Sequence, residues 1–410
     1  MASQSDLSKS GRPDNVPADR VVDFDLYNPP GVEAGFHEAW QRLHAPGVPN
    51  LVWTPHNGGH WMATRGEMLA EVFSDYERFS CRVMLVPKSV GEQHQMLPVV
   101  LDPPENRPFR LLLNKSLSPK TVTGMEGRIR TLATNLIDGF IGSGRCDFIT
   151  DYAEALPVGI FMSLVDLPQA DVGLIKQWTD QIVHPDGTMT YEEAKRHIYE
   201  YLGPVINARL GGDGTDMLSV IINGTIRGRA LTREEMLSLS MQMLLGGLDT
   251  VVNFLGFAML FLARNPEHRE QLIRDPSLIA AAVDELLRRF PVVSLAREVR
   301  NDIVYDGVQL KSGDMIAIPS PLSGTDERLN PRPLEVDFHR TSSEHVTFGK
   351  GAHFCPGAHL ARTEIRITLE EWLTRIPAFS VAPEAVISFR GGLVGVVNAL
   401  PLVWDNRQAH

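Results

Sequence analysis

Residues 348–357 read FGKGAHFCPG. Its single cysteine, Cys355, stands among glycines at positions 349, 351 and 357. Glycine permits positive φ angles, so successive backbone N–H groups can converge on one point and stabilise a thiolate. The alternative is a small buried apolar cysteine. A thiolate is either a nucleophile or a metal ligand, and His353, two residues away, does not by itself establish the geometry of a paired base.

A long apolar helix is predicted to begin after Thr232 and to run to about Asn265, where Pro266 stops it. Thr232 and Glu235 carry the signature of a capping box. A membrane span is the alternative, but Asp249 near the middle would cost about 2.5–3.5 kcal/mol in lipid. We therefore expect this helix to run through the middle of a soluble protein.

The motif GGLDT, residues 246–250, lies inside this helix. Two adjacent glycines in a helix interior cost about 1 kcal/mol each relative to alanine. Close helix packing explains the glycines, but it explains the neighbouring acid and alcohol less well. We expect the Thr250 hydroxyl to bond the Gly246 carbonyl and to loosen the helix there. The result would be a notch for a flat group, with a hydroxyl and a carboxylate beside it.

A third motif, Glu285-Leu286-Leu287-Arg288, lies in the helical stretch AAAVDELLRRF. Glutamate and arginine at i and i+3 share a helix face and can form an ion pair. An ordinary surface pair, worth a few tenths of a kcal/mol, is the alternative for this motif alone.

The composition excludes several classes of protein. The chain has 410 residues, a formal net charge of -11 and three widely spaced cysteines, Cys81, Cys146 and Cys355. The charge argues against non-specific nucleic-acid binding. The odd cysteine count without a CxxC pair argues against a disulfide framework and a structural zinc site. The first residues are polar and broken by prolines, so we expect no signal peptide and no membrane anchor.

Strand signals are few. Residues 51–64 predict a hairpin turning at Asn57-Gly58, and a second turn lies at Asp306-Gly307. DMIAIP and LPLVW also predict strands, whereas residues 105–290 indicate mostly helices. We expect a mainly α protein with small β-sheets, formed by one domain over residues 21–405 after a flexible N-terminus over residues 1–20.

Together and in this order, GGLDT, ExxR and FxxGxHxCxG resemble the cytochrome P-450 family. The resemblance covers essentially the whole chain. Segments such as LGGLDTVVNFL, LDPPENRPFR, GVQLKSGD and LSGTDER are similar to the camphor-hydroxylating bacterial subgroup. It implies a soluble, cytoplasmic monooxygenase that inserts one oxygen atom from O2 into a small apolar molecule.

The resemblance implies a cytochrome P-450 fold with heme b buried between the long central helix and the cysteine loop. Cys355 matches the axial iron ligand, and Asp249 and Thr250 match the catalytic residues that deliver protons. The Glu285–Arg288 pair matches a folding signature that ties its helix to PRPLEVDFHR. The positions that match heme-binding residues are Asn106, Arg110, Gly246, Gly247, Arg297, Phe348, His353 and Gly357.

Two positions depart from the pattern of the resembled family. Leu295 stands where the subgroup has an acid near the second propionate, so that one hydrogen bond is expected to be missing. Pro356 follows the cysteine and has no N–H to offer the sulfur. We expect a more electron-rich sulfur, which stabilises ferric iron, unless Gly357 or the preceding loop compensates.

The substrate pocket is expected to be compact, nearly dry and equipped with one polar group. His94 falls where the camphor-hydroxylating relatives carry a tyrosine, and it can present either a donor or an acceptor nitrogen. We expect a cyclic terpenoid or norisoprenoid of about ten to thirteen carbons. Ordinary core packing is the alternative for the aliphatic positions. The pocket positions are Leu85, His94, Met96, Val99, Leu245, Val293, Leu393 and Val394.

No glycine-rich dinucleotide motif follows a predicted strand, so we expect electrons from NAD(P)H to arrive through separate proteins. The resemblance implies a [2Fe-2S] ferredoxin with its reductase, acting on a monomer. A basic patch for an acidic ferredoxin is predicted at Arg107, Arg110, Lys350 and Arg362, with scattered surface charge as the alternative. A peroxide-driven or isomerising heme-thiolate enzyme and a heme-binding sensor remain alternative functions.

Overall fold

The computed structural model describes residues 9–183 and 187–406 and confirms a mainly helical fold with small sheets. The described α-helices are α1 (Phe36–Trp40), α2 (Gly66–Ser74), α3 (Lys88–Gly91), α4 (Arg107–Ser116), α5 (Pro119–Thr123), α6 (Glu126–Phe140), α7 (Ala155–Leu164), α8 (Val172–Val183), α9 (Tyr191–Arg209), α10 (Met217–Ile222), α11 (Arg233–Leu248), α12 (Thr250–Arg264), α13 (Pro266–Arg274), α14 (Ile279–Arg289) and α15 (Ala358–Arg375).

The strands are short, and most of them precede α4 or follow α14 in the sequence. They are β1 (Leu51–Thr54), β2 (His60–Ala63), β3 (Phe79–Ser80), β4 (Arg145–Asp147), β5 (Thr225–Ile226), β6 (Arg229–Ala230), β7 (Ser294–Val299), β8 (Ile303–Tyr305), β9 (Val308–Leu310), β10 (Met315–Pro319), β11 (Ser380–Val381), β12 (Phe389–Arg390), β13 (Val396–Val397) and β14 (Pro401–Val403).

The largest described sheet has five strands in the order β1-β2-β10-β7-β3. A three-stranded sheet has the order β11-β14-β4, and three pairs complete the described set, β12-β13, β5-β6 and β8-β9. Both predicted turns are present. Asn57 and Gly58 have φ angles of 53° and 81°, and Asp306 and Gly307 have φ angles of 47° and 76°. These positive values are what tight hairpin turns require, and they explain the residue types.

Helices α11 and α12 form the central rod of the molecule. The Thr232 side chain accepts from the Glu235 N–H and the Glu235 side chain from the Thr232 N–H, which confirms the predicted capping box. Of the described residues, Arg233–Arg264 is the one helical stretch long and apolar enough to cross a membrane, and 67% of its apolar window is buried in the fold. This rod is therefore the core helix of the domain, packed against α7, α9 and α15.

The rod is not one continuous helix. Asp249 has φ -125° and ψ -41°, which ends α11 and begins α12 one residue later. The predicted single helix is thus interrupted within GGLDT. Local competition for backbone carbonyls by the polar side chains of this motif explains why the interruption falls here.

The N-terminal stretch 1–20 was predicted to be flexible. Residues 1–8 lie outside the described residues, but residues 9–20 contact the domain. The Ser10 N–H bonds the Pro55 carbonyl at 2.8 Å, the Asn15 amide bonds the Gln309 carbonyl at 2.9 Å, and Val16 is buried. This part of the stretch is therefore attached to the domain.

Glu285 and Arg288 form an ion pair in the core rather than on the surface. Both residues are at most 1% exposed, and Arg288 donates to both Glu285 oxygens at 2.7 and 2.8 Å. Arg288 also bonds the backbone carbonyls of Gly324, Pro333 and Glu335, and Glu285 accepts from the Asp337 N–H. The pair thus ties α14 to residues 331–340, the segment PRPLEVDFHR.

We predict that Glu285→Ala lowers the free energy of unfolding by about 3–5 kcal/mol, because Arg288 keeps a buried charge without its counter-ion. Urea unfolding followed by circular dichroism measures the change.

Glu335→Ala is the matched control on the same segment. Its side chain pairs with Arg332 in an exposed contact, so the change should stay within about 0.5 kcal/mol. Equal effects of the two variants would show that the buried pair has no special weight in the fold.

Candidate active site

The loop that carries Cys355 is closed on itself and held against α2. The Cys355 N–H bonds the Phe348 carbonyl at 2.9 Å, and the Gly349 N–H bonds the Val346 carbonyl at 2.8 Å. Gly349 and Gly351 both have φ of 69°. A Cβ on Gly351 would lie 3.0 Å from the Ser74 backbone, so the loop approaches α2 too closely for a larger residue. The glycines are required here by conformation and by space.

Cys355 is partly buried, and its sulfur lies next to backbone donors. Burial raises the pKa of the Cys355 thiol, whereas backbone N–H groups of Gly357 and Ala358 and the charge of Arg110 act in the opposite direction. Pro356 has no N–H, and the two donors come from the residues that follow it, at the start of α15. The first turn of this helix therefore directs its free N–H groups at the sulfur.

Two arginines and a histidine gather near the loop. Arg110 donates to the Phe354 carbonyl. Arg297 is 1% exposed, lies over the Phe73 ring at 5.2 Å, and has no hydrogen-bond partner for its Nε among the described residues. Burial and then the charges of Arg297 and Arg110 lower the pKa of His353 to about 4. The charges of the two arginines suit an anionic group bound beside them.

Asn106 lies with this group. It is 1% exposed, its Nδ2 is 3.4 Å from His353 Nε2, and its buried Oδ1 has no hydrogen-bond partner among the described residues. The unpaired Arg297 Nε–H fits a carboxylate of a heme, and Asn106 can donate to one only through its Nδ2. The sulfur with its N–H donors fits an iron ligand. The residues of the site therefore suit heme.

A carboxylate occupies the corner beside His353, although Leu295 contributes none. Asp102 accepts from the Cys81 N–H at 2.9 Å and the Ser80 hydroxyl at 2.5 Å, and it pairs with Arg300. Donor atoms of Cys81, Asp102 and His353 lie within 4.8 Å of one another. The bonds to Asp102 explain this cluster as a hydrogen-bonded corner. Sequence reasoning missed it, because nothing in LDPPENRPFR links Asp102 to Arg300.

The two glycines of GGLDT have different surroundings. Gly246 is exposed to open space, and a Cβ there would meet only Gln242 Nε2, at 3.9 Å. A Cβ on Gly247 would overlap the Phe161 ring of α7. The open-notch interpretation therefore applies to Gly246, whereas Gly247 also allows close packing of α11 on α7, and its heme-binding role stays a prediction.

Thr250 and Asp249 lie at the helix break. The Thr250 hydroxyl donates to the Gly246 carbonyl over a long 3.5 Å, as the motif predicted. The Asn253 amide bonds both the Asp249 carbonyl at 2.9 Å and its carboxylate at 3.0 Å. Burial lowers the pKa of the Lys176 ammonium, but nearby carboxylates outweigh this effect and raise it. These carboxylates belong to Asp180, Glu154 and Asp249. Neither Asn253 nor Lys176 was assigned to the site from the sequence. The approach of Lys176 depends on how α8 packs on α11, whereas the i, i+4 spacing of Asp249 and Asn253 is a local signal that could have found Asn253.

The expected pocket residues lie in three places: a bridge between two C-terminal segments, helix α11 and the segment before α4. Val293 and Val394 form an antiparallel bridge, and the Ser294 N–H bonds the Leu393 carbonyl at 2.9 Å, so the chain brings these positions together. Leu245 on α11 is buried, and the other positions lie on the segment before α4. That segment contains Leu85, His94, Met96 and Val99, all of them partly buried.

The predicted basic patch is only partly free. Arg107 and Arg110 line a cavity of about 770 Å³ together with the exposed side chains of Leu111 and Phe354. Lys350 is exposed on the cysteine loop. Arg362 instead bonds Asp284 at 2.8 Å and lies 4.6 Å from the Phe348 ring, so its charge is largely neutralised.

The chain is similar in sequence to known cytochrome P450 proteins. The sequence profile described as Cytochrome P450 matches residues 207–385. The chain is 33% identical to "Probable cytochrome P450 127A1" of Sinorhizobium fredii over 96% of both chains. It is 30% identical to "Cytochrome P450 monooxygenase PikC" of Streptomyces venezuelae over 90% of this chain and 91% of that one.

Solved structures are similar over nearly the whole chain. The structure of CYP101J2 has a TM-score of 0.90 at 47% identity and covers 97% of this chain and 100% of its own. The structure of cytochrome P450 CYP101C1 has a TM-score of 0.89 at 40% identity and covers 96% and 100%. These likenesses confirm the resemblance to the bacterial class that includes camphor hydroxylases.

We predict that the two glycines respond differently to alanine. Gly247→Ala should lower the free energy of unfolding by about 1–3 kcal/mol, because its Cβ displaces the Phe161 ring. Gly246→Ala should match the wild type or exceed it by up to about 1 kcal/mol, since alanine favours the helix and meets open space.

Urea unfolding of both variants, followed by tryptophan fluorescence, measures the difference. A loss at Gly246 as large as that at Gly247 would contradict the assignment of the notch to Gly246.

Proposed function

Because the chain belongs to the cytochrome P450 family, we propose that this monooxygenase hydroxylates a small apolar cyclic substrate, a terpenoid or norisoprenoid, with electrons from a ferredoxin. The observation that supports the proposal is the Cys355 loop, where a partly buried sulfur faces the backbone N–H groups of Gly357 and Ala358. Such a sulfur suits a thiolate iron ligand and lacks the paired base that a nucleophile would need.

In this proposal Cys355 binds the iron of heme b, and Arg110, Arg297, His353 and Asn106 bind its two carboxylates. Heme with a thiolate ligand supplies the reductive activation of O2 that leads to hydroxylation. Gly246 leaves room for the flat face of the group, since it carries no side chain beside the open space. Phe348 forms part of the wall on the cysteine side, with Arg362 over its ring.

Thr250 and Asp249 are the residues that would hold and move protons beside the open space at Gly246. Thr250 Oγ1 presents a hydroxyl whose long bond to the Gly246 carbonyl is easily exchanged for a stronger partner. Asp249 is oriented by the Asn253 amide and lies within electrostatic reach of Lys176, at the edge of α8. This arrangement suits a carboxylate that takes up a proton from solvent and passes it inward.

The pocket side chains orient the substrate and exclude water. Val293, Leu393 and Val394 present an aliphatic wall held by backbone pairing, and Leu245 presents another from α11. A wall of this kind favours a compact hydrocarbon skeleton and excludes charged molecules. A substrate of about ten to thirteen carbons is proposed on this ground.

Electron transfer is proposed to take place at the face with Arg107, Arg110 and Lys350, where positive charge surrounds exposed Leu111 and Phe354. Such a face suits an acidic [2Fe-2S] ferredoxin, which a reductase would recharge from NAD(P)H. The protein is proposed to act as a cytoplasmic monomer. The Asp249-Thr250 pair favours O2 activation over a peroxide-driven enzyme, an isomerase or a sensor.

We predict that the reduced protein with carbon monoxide absorbs near the wavelength after which the family is named, and that Cys355→Ala loses this band. Cys146→Ala is the control, because it removes a buried cysteine that lies on β4, away from the loop. A band typical of histidine-ligated heme in the wild type would disprove the thiolate assignment.

We predict that Thr250→Ala uncouples the enzyme. With a ferredoxin system, NADH oxidation should continue while hydroxylated product falls several-fold and hydrogen peroxide rises, because the group that directs proton delivery is lost. Parallel assays of NADH, product and peroxide measure the ratio.

Asp249→Asn separates the two roles. This variant should slow NADH oxidation and product formation together, since the carboxylate that takes up the proton is lost. Unchanged coupling in Thr250→Ala would mean that water alone does the work assigned to the hydroxyl.

A further inference from the structure

The environment of His94 fixes which of its nitrogens is a donor. His94 Nδ1 lies 2.8 Å from the Val90 carbonyl oxygen. A carbonyl only accepts, so Nδ1 carries the proton of the neutral ring and Nε2 presents a lone pair. Burial lowers the pKa of His94, which keeps the ring neutral near pH 7. His94 is therefore a hydrogen-bond acceptor and cannot donate to a substrate carbonyl.

A donor lies directly against this ring. The ring centroids of Tyr191 and His94 are 4.0 Å apart. The Tyr191 hydroxyl is buried and has no hydrogen-bond partner among the described residues. A buried hydroxyl without a partner costs free energy, which a bound molecule recovers when it accepts the bond. Burial also raises the pKa of Tyr191 to about 12, so the phenol keeps its proton.

The two segments that carry His94 and Tyr191 are both attached to the central rod. The Leu97 N–H, on the segment that carries His94, bonds the Ser238 hydroxyl of α11 at 2.9 Å. Tyr199, on the helix that begins with Tyr191, bonds Glu234 of α11 at 3.3 Å. Ser238 precedes Gly246 by eight residues, or about 12 Å along the helix axis. Glu234 precedes Gly246 by twelve residues, or about 18 Å, so both attachments lie on the part of α11 that leads to the open space beside Gly246.

We propose that Tyr191 determines substrate specificity, its hydroxyl donating to a substrate oxygen while His94 Nε2 accepts from the same group. The substrate class is then a cyclic terpenoid alcohol. This inference rests on the proposed function and adds a residue and a substrate class to it. A hydroxyl group satisfies both partners, a ketone accepts from Tyr191 alone, and a hydrocarbon bonds neither.

The test uses the heme-loaded ferric protein and three probes that share one bicyclic skeleton: borneol, camphor and bornane. Each Kd is measured from the spin-state shift of the heme. Tyr191→Phe retains the ring and removes the hydroxyl, so Kd should rise about tenfold for borneol and camphor and stay unchanged for bornane. His94→Phe should raise Kd about tenfold for borneol alone.

Tyr201→Phe is the control, since it removes a phenol of α9 that already bonds Asp171 at 2.7 Å. Its three Kd values should equal those of the wild type. Equal losses for all three probes in Tyr191→Phe would assign the residue to packing, and unchanged values would remove it from the pocket. Either result overturns the inference. The carbon monoxide spectrum distinguishes failure of this inference from failure of the proposed function. A normal band together with either result leaves the proposed function intact.

Discussion

All five N–H groups of Arg288 are hydrogen-bonded, two to Glu285 and three to the backbone carbonyls of Gly324, Pro333 and Glu335. One side chain thereby joins α14 to a stretch of chain that lies 36 to 47 residues further along the sequence. Immediately before the cysteine loop, the Thr347 hydroxyl bonds the Leu287 carbonyl at 2.7 Å on the same helix. The Cys355 loop thus depends on a helix that a desolvated guanidinium holds in place, and loss of one partner would leave a buried charge that water cannot reach.

What the sequence predicted correctly was mostly local. The capping box at Thr232, the bond from Thr250 to Gly246 and the turns with positive φ depend on residues a few positions apart, whose geometry is set by backbone chemistry. Sequence order also sufficed for the family, because three motifs with fixed spacing rarely occur by chance. The interruption of the central helix followed from the same motif, although only the backbone angles place it at Asp249.

What the sequence did not predict depends on contacts between distant segments. Gly247 packs on Phe161, and Asp102 bonds Arg300, although no periodicity or spacing relates these positions. Tyr191 is a similar case, since an isolated tyrosine at a helix start gives no signal until its hydroxyl is found buried against His94. The basic patch was overestimated for a related reason. Charge counted along a sequence includes Arg362, which Asp284 neutralises once α14 and α15 pack together.

The composition of the central rod has a consequence for biosynthesis. Gly256 on α12 is covered by Ile149 and by Val397, which is synthesised about 140 residues later. Until those last strands leave the ribosome, a helix as apolar as a membrane span remains without its cover. Exposed surface of this kind promotes aggregation during folding, more so as the chain grows slowly. Slower translation or a truncated C-terminus should therefore reduce the soluble yield of this protein before either affects its catalytic groups.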